Sequence, residues 1–429
     1  MSTSEFDSYR PPEPEGGRRK RRRGGRGPGD GRDGQGGPGG QGGSGGGRRG
    51  QGWKNRGSDG NREMPMVEDV EFTSYYGRPI VKAPPWGHEI ALYLFLGGLA
   101  GGSTLLGLGA QFTDRPGLRI ASRMTAITAT GVGGAALVAD LGRPERFINM
   151  MRVVKVSSPM SLGTWILSGF GVGAGVTFAI EFDRVTGEKL LPLGPLRRLL
   201  HAMETPAALE SALFATPLAA YTAVLLGDTA VPTWNAAGRN GLPYVFVSSA
   251  SLAAGGAAMT LAPVRETGPA RLLALMGAAG DVIAMDRMKK RMHPAEVDPM
   301  EEGEPGHKLH RAETLLIAGA VGAAAVEVGA MVFAKKLGGG GGVGRSGASA
   351  GFASGSGRRS WKTRAALRAV SVVSGAALAA ASAYTRFGML EAGIDSTKDP
   401  RHVVEPQRAR LEERRAAGIT DDSITTGVK

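Results

Sequence analysis

Apolar residues are concentrated in eight blocks between about residues 88 and 387. Most of these blocks approach the ~20 residues that a helix needs to cross ~30 Å of hydrocarbon. The pattern predicts an all-α membrane protein with about eight transmembrane helices, at residues 89–111, 120–141, 161–181, 205–226, 243–262, 268–285, 312–334 and 365–385. The sixth block is short and carries Asp281, so a half-buried or strongly tilted helix is the alternative there.

Glycines recur at close spacing inside the first three blocks. In lipid, small residues four positions apart let helix backbones approach closely. A nucleotide-binding loop is the competing interpretation, but no strand precedes these runs and no Gly-Lys-Ser/Thr follows them. We therefore interpret as packing seams Gly97, Gly98, Gly101, Gly102, Gly131, Gly133, Gly134, Gly169, Gly171, Gly173 and Gly175.

Polar segments flank and interrupt the predicted membrane domain at residues 84–390. Residues 1–83 form a basic Gly/Arg-rich tail, residues 337–357 a Gly/Ser-rich loop insert, and residues 391–429 a polar C-terminal tail. The first tail supplies much of the net charge of +13. Its composition buries too little apolar surface to offset the entropy of ordering, so we expect disorder. Such a tail can bind RNA or anionic lipid, but we favour cytoplasmic retention and do not expect a nucleic acid partner.

The basic residues also predict an orientation. No apolar signal-peptide core precedes Pro84, so the first span is expected to act as the insertion signal. A cytoplasmic N-terminal tail and an even number of spans place the C-terminal tail in the cytoplasm too. The basic loops at residues 143–155 and 287–291 fit this orientation, whereas the basic residues around the 337–357 insert do not.

The chain contains no cysteine and six histidines. The absence of cysteine excludes disulfides, thiolate zinc sites, iron-sulfur ligation and thioether-bound haem on this chain. Only His88 and His201 lie near the ends of apolar blocks, so facing histidine pairs for a b-type haem are lacking. We therefore expect no intrinsic haem, iron-sulfur cluster or metal.

Ionisable residues inside spans cost about 3 kcal/mol each on insertion scales, which makes them functional candidates. One group lies near the predicted cytoplasmic face, where residues of three helices lie at the same depth in the membrane. A quinone carbonyl needs a hydrogen-bond donor that becomes a proton donor on reduction, which His, Tyr or a protonated carboxylic acid supplies. The quinone-site candidates are His88, Glu89, Tyr93, Asp140 and Asp281. The alternative is that the first two only mark where the first helix leaves the interface.

Two further sets of charged residues accompany this group. Arg143, Glu145 and Arg146 lie in the loop after the second span and are predicted to dock a partner. Glu204, Glu210 and Glu327 lie nearer the other face or part-way into the membrane and are proton-relay candidates. Each of these glutamates could equally do no more than hydrogen-bond a neighbouring helix.

Four ordered stretches carry a family resemblance. WGHEIALYLFLGGLAGGSTLL ends at Leu106, DLGRPERFINMMRVVKVSSPMSLGTWIL begins at Asp140, TPLAAYTAVLLGDTAVPTWN begins at Thr216, and YTRFGMLEAGIDSTKDPRHVVEPQR begins at Tyr384. Together they resemble the NrfD/polysulfide reductase membrane-subunit (PsrC-like) family. The residues before Met64 and the insert after Leu337 have no recognised counterpart in it.

The resemblance implies a quinone-reactive anchor in a bacterial cell membrane, built from two four-helix bundles. Such an anchor docks a ferredoxin-like iron-sulfur subunit and, through it, a molybdopterin-type catalytic subunit. Menaquinone or ubiquinone would be its substrate, at the first-helix end that here carries His88, Glu89 and Tyr93. The chain would then be one subunit of a membrane oxidoreductase and not catalytic alone. The alternatives are an eight-span transporter or channel without a redox role, and a passive anchor.

Overall fold

The structure, a computed structural model, describes residues 79–143, 145, 147–190, 192, 194–338 and 357–419. Side chains are not described at residues 333–338 and 357–360. Most of the predicted tail at 1–83 and most of the predicted insert at 337–357 therefore lie outside the described residues. Within the described ranges the secondary structure is helical, without a strand, as the apolar pattern predicts.

Eight long helices correspond to the eight predicted spans. They are α1 His88–Phe112, α2 Pro116–Asp140, α4 Pro159–Val185, α6 Glu204–Gly227, α8 Leu242–Leu261, α9 Gly268–Arg291, α11 Gly303–Gly338 and α12 Gly357–Ser396. Five shorter helices were not predicted: α3 Phe147–Met150, α5 Leu196–Ala202, α7 Pro232–Asn240, α10 Pro294–Glu301 and α13 Arg401–Ala416. The prediction of an all-α protein with about eight membrane helices is confirmed.

Seven of the long helices are long and apolar enough to cross a membrane, and α2 is the exception. The sequence predicts the sixth block as the weakest span, with a half-buried or tilted helix as the alternative. In the structure this block is α9, a continuous helix of 24 residues that is long and apolar enough to cross a membrane. Helix α2 has 25 residues, so its length suffices to cross the bilayer. Its hydropathy is lowered by Arg119 and Arg123 in its first two turns and by Asp140 at its end.

The long helices pack as two four-helix bundles, as the resemblance implies. The first bundle contains α1, α2, α4 and α6, and the second contains α8, α9, α11 and α12. Helix α1 contacts α8 and α12, so it lies where the two bundles meet. Successive long helices run in opposite directions. We call the end of the bundles at which α1 begins the His88 side, and the opposite end the Phe112 side.

Helix α1 approaches its neighbours closely at glycines. A Cβ built on Gly101 would lie 2.6 Å from the carbonyl oxygen of Ala215 in α6. A Cβ built on Gly102 would lie 2.6 Å from the Cβ of Ala254 in α8. Because real Cβ atoms do not approach other atoms so closely, these glycines allow α1 to fit between the two bundles.

Helices α7, α10 and α13 pack together on the His88 side. Helix α10 contacts α7 and α13, which brings the C-terminal segment back onto the loop between α9 and α11. The buried His402 of α13 is hydrogen-bonded through Nδ1 to the carbonyl oxygen of Ala295, at 2.5 Å. Part of the region predicted as a polar C-terminal tail is therefore the end of α12 and the packed helix α13.

Candidate functional site

The start of α1 is anchored by aromatic side chains. Trp86 precedes the helix and stacks on Trp234 of α7, with ring centroids 5.2 Å apart. The indole Nε1 of Trp234 donates to the carbonyl oxygen of Met389 in α12, at 2.7 Å. The N-terminus of α1 is thereby fixed against the second bundle, and Glu89 in its first turn is favourably placed for the helix dipole.

His88 joins a polar cluster formed by both bundles. Its imidazole stacks on Phe387 of α12, with centroids 6.0 Å apart, and its Nε2 lies 3.5 Å from Oε1 of Glu391. Lys308 of α11 binds the same carboxylate at 2.5 Å and also lies 3.0 Å from Glu304. Because 78% of the His88 side chain is exposed, this imidazole is open to an incoming molecule.

A buried pair of phenols lies just inside this cluster. The hydroxyl of Tyr93 lies 2.8 Å from that of Tyr221 in α6. Tyr93 is 2% exposed, and the ring of Tyr221 packs against Gly163 of α4. Tyr93 follows His88 by five residues, about 7.5 Å along the helix. The first bundle therefore presents an imidazole at its surface and hydroxyl groups below it.

The remaining candidates on this side are dispersed. Glu89 and Asp140 are half-buried, at the start of α1 and the end of α2. Arg143 is half-buried and Glu145 is exposed, in the connection between α2 and α3. Arg146 lies outside the described residues. Helix α2 contacts α1, so Asp140 belongs to the same end of the first bundle as His88.

Asp281 lies apart from these groups, in the second bundle. It lines a cavity of about 890 Å³ between α9, α10 and α11. It interacts electrostatically with Arg386 of α12, which is fully buried. The guanidinium of Arg386 lies 3.6 Å from the ring centroid of Phe246 and donates through Nη2 to the carbonyl oxygen of Phe246, at 2.6 Å.

An ion-pair network lies at the Phe112 side of the first bundle. Arg123 of α2 donates through Nη1 to Glu181 at 3.0 Å and to Glu204 at 2.8 Å. Arg119 also pairs with Glu181, and Arg184 pairs with Glu204. The network links α2, α4 and α6, and it compensates the charges that lower the hydropathy of α2.

The three proton-relay candidates fall into different bundles. Glu204 belongs to the network of the first bundle, and Glu210 lies on the same helix with its Oε2 against Gly173 of α4. Glu327 lies on α11, where it pairs with Arg271 of α9. The structure therefore groups Glu204 with Glu210 and places Glu327 in the second bundle.

Most partners of the acidic groups in the spans were not predicted from the sequence. Arginines in or next to apolar blocks carry a similar insertion cost to carboxylates, and that signal would have drawn attention to Arg123 and Arg271 within predicted spans and to Arg386 directly after one. The residues missed are Arg123, Arg271, Arg386, Lys308, Glu391 and Tyr221. Glu391 and Tyr221 give no such signal. Glu391 follows the predicted span, and tyrosine is common where membrane helices meet the interface.

Residues that could hold a metal ion are not clustered in the described ranges, where no group of three or more His, Asp or Glu side chains has suitable geometry. The expectation that the chain carries no haem, cluster or metal of its own stays a prediction.

Comparison with known proteins supports the resemblance seen in the sequence. A search of curated proteins gave no match. A family model described as polysulphide reductase, NrfD, matches residues 80–272. The match covers the first bundle together with α7, α8 and the start of α9. With its long apolar helices, this chain is therefore a multi-pass membrane protein, of which residues 80–272 match the NrfD model of polysulphide reductase.

Proposed function

We propose that this chain is the quinone-reactive membrane subunit of a multi-subunit oxidoreductase. It passes electrons between a partner iron-sulfur subunit and the membrane quinone pool. The observation that carries the proposal is the polar cluster at the start of α1, where His88 contacts Glu391 and lies above the Tyr93–Tyr221 pair. Without cysteine the chain lacks thiolate ligands for a cluster, so a partner supplies the electron carrier.

The proposed quinone site is formed by His88, Glu89, Tyr93 and Asp140 at the His88 side of the first bundle. Reduction of a quinone to a quinol consumes two electrons and two protons, one for each carbonyl oxygen. An imidazole and a phenol can each donate a hydrogen bond to one carbonyl oxygen of a quinone. Glu391, at 3.5 Å from the imidazole, can orient His88 and stabilise its protonated form. Asp281, the fifth candidate, lines a separate cavity in the second bundle.

The iron-sulfur subunit is proposed to dock on the same side. Arg143, Glu145 and Arg146 lie in the connection after α2, next to the end of the helix that carries Asp140. A guanidinium at the membrane edge is stabilised by a partner's carboxylates or by lipid phosphates. A molybdopterin-type catalytic subunit would bind through the iron-sulfur subunit. Docking here brings the partner's cluster close to the quinone.

Proton transfer through the first bundle is proposed to involve Glu210 rather than Glu204 or Glu327. Arg123 and Arg184 both form ion pairs with Glu204. Arg271 forms an ion pair with Glu327. Oε2 of Glu210 is buried and has no hydrogen-bond partner among the described groups. A carboxyl group with a free oxygen can exchange a proton with water, whereas the paired glutamates hold helices together.

Substitutions at the proposed quinone site test the function. His88→Ala and Asp140→Asn are each expected to reduce quinone-linked turnover of the intact complex by about a hundredfold to ten-thousandfold, the usual contribution of general acid-base catalysis. Turnover with a soluble dye, which takes electrons before they reach this subunit, should stay near the wild-type rate. His201→Ala is the matched control, because His201 pairs with Asp183 on the opposite side. Unchanged quinone-linked rates in both variants would contradict the proposed site.

A further inference from the structure

The cavity in the second bundle has features that the quinone site does not use. It opens on the His88 side between α9, α10 and α11 and has a volume of about 890 Å³. A water molecule takes up about 30 Å³ in the liquid, so the cavity has room for many. Asp281 at its inner end lies about ten residues, or roughly 15 Å of helix, from the end of α9 at Arg291.

Asp281 is buried without a complete set of hydrogen bonds. It is 5% exposed, and its Oδ1 has no partner among the described groups. Its counter-charge, Arg386, likewise has Nε and Nη1 without partners in the described part of the chain. Buried polar atoms are almost always hydrogen-bonded, to protein or to ordered water. Because Asp281 lines the cavity, water there can satisfy its free oxygen.

The mouth of the cavity carries charges of both signs, so it does not favour a ligand of one net charge. Two imidazoles lie on its α11 wall, and imidazoles exchange protons near neutral pH. Helix α8, which also packs against α9, contributes no charged residue. The titratable and charged groups around Asp281 are Asp286, Arg287 and Lys289 on α9, Glu301 on α10, His307, His310 and Glu313 on α11, and Arg386 on α12.

We propose that this cavity is filled with water and connects the His88 side with Asp281, which binds and releases a proton there against the charge of Arg386. A proton arriving through the water binds Oδ1 and neutralises the carboxylate, and its return to the water restores the negative charge of Asp281. Arg386 also lies beside α1, since a Cβ on Gly98 would be 3.2 Å from its Nη2. Protonation of Asp281 therefore changes the charge balance at the seam between the two bundles.

Water access can be tested directly, because the chain contains no cysteine that would react with a thiol reagent. Ala312→Cys and Ala323→Cys place a thiol at two buried positions of α11, of which only the first lines the cavity. In membrane vesicles of the full chain, a charged maleimide added from the His88 side is expected to label Ala312→Cys at least tenfold faster than Ala323→Cys. Equal, slow labelling of the two would show that the cavity is dry and would overturn the proposal.

Proton binding is tested by infrared spectroscopy of the full chain in lipid. The spectral difference between acid and neutral pH should contain a carboxylic acid band that disappears in Asp281→Asn and persists in Asp286→Asn, at the cavity mouth. If Asp281→Asn does not accumulate, Asp281→Glu should shift the band instead. A band that is unaffected by either change at residue 281 would overturn the proposal. Neither experiment uses quinone turnover, so their outcome is independent of the proposed quinone site.

Discussion

Arg123 is the residue on which the ion-pair network of the first bundle depends most. Its guanidinium donates to Glu181 and Glu204 through Nη1 and to Gln111 through Nη2, at 2.6 Å. Its side chain is 4% exposed, and that of Glu181 is fully buried. A carboxylate buried without compensation is far more costly than a surface charge without a partner. The same network makes the polar start of α2 compatible with a membrane.

Replacing Arg123 should therefore destabilise the protein strongly. Arg123→Gln is expected to lower the free energy of unfolding in mixed micelles by about 3 kcal/mol, because it leaves Glu181 and Glu204 with fewer charge partners. Arg265→Gln is the control, since the side chain of Arg265 is 84% exposed and its pair with Glu266 should contribute less than about 1 kcal/mol. Denaturation curves that shift equally for the two variants would contradict a structural role for the network.

Helix α1 owes its position to the glycine seam that it presents to α6 and α8. The sequence predicted seams in the first three spans, and this is confirmed at Gly98, Gly101 and Gly102. Nothing lies within 4 Å of a Cβ built on Gly131 or on Gly171. The composition of a block signals that helices can approach closely, but which glycine faces a neighbour depends on how the helix is rotated.

Two glycines on the same helix provide a matched test of the seam. Gly101→Ala should lower the free energy of unfolding by about 1–3 kcal/mol, because its methyl group would meet the backbone of Ala215 and separate α1 from α6. Gly109→Ala introduces the same group where nothing lies within 4 Å, and it should be neutral or slightly stabilising. Chemical unfolding of both variants in micelles measures the difference. A loss of stability at Gly109 as large as that at Gly101 would show that backbone freedom, not packing, decides the effect.

The membrane topology of the whole molecule depends on whether α2 crosses the bilayer. If α2 crosses the membrane, all eight long helices do so, and α1 begins on the side where α12 ends. Asp114 precedes α2 and Val154 follows α3, and both are exposed. Single cysteines at Asp114 and Val154 should react with an impermeant maleimide from opposite sides of the membrane. The basic loop around Val154 should be the cytoplasmic one. Labelling from the same side would show that only seven helices cross.

The positions of the membrane helices can be predicted from the hydrophobicity of the chain alone. The eight apolar blocks correspond to the eight long helices because the transfer of a segment into lipid is a sum over its own residues. Helix α2 was found in this way despite its arginines, since the apolar residues after Arg123 were sufficient to predict a span. The charged loop and the motifs from Trp86 onward also carried the family resemblance, which the match over residues 80–272 supports.

Which charged residues meet depends on how the helices pack. The apolar pattern predicts His88 and Asp281 on one side of the membrane, but the fold places His88 next to Glu391 and Asp281 in the field of Arg386. Glu210 and Glu327 both lie part-way into the membrane, and packing assigns them to different bundles. Pairs of this kind join residues far apart in the chain. Their formation depends on the rotation and neighbours of each helix, which follow from packing between helices rather than from the hydrophobicity of any one segment.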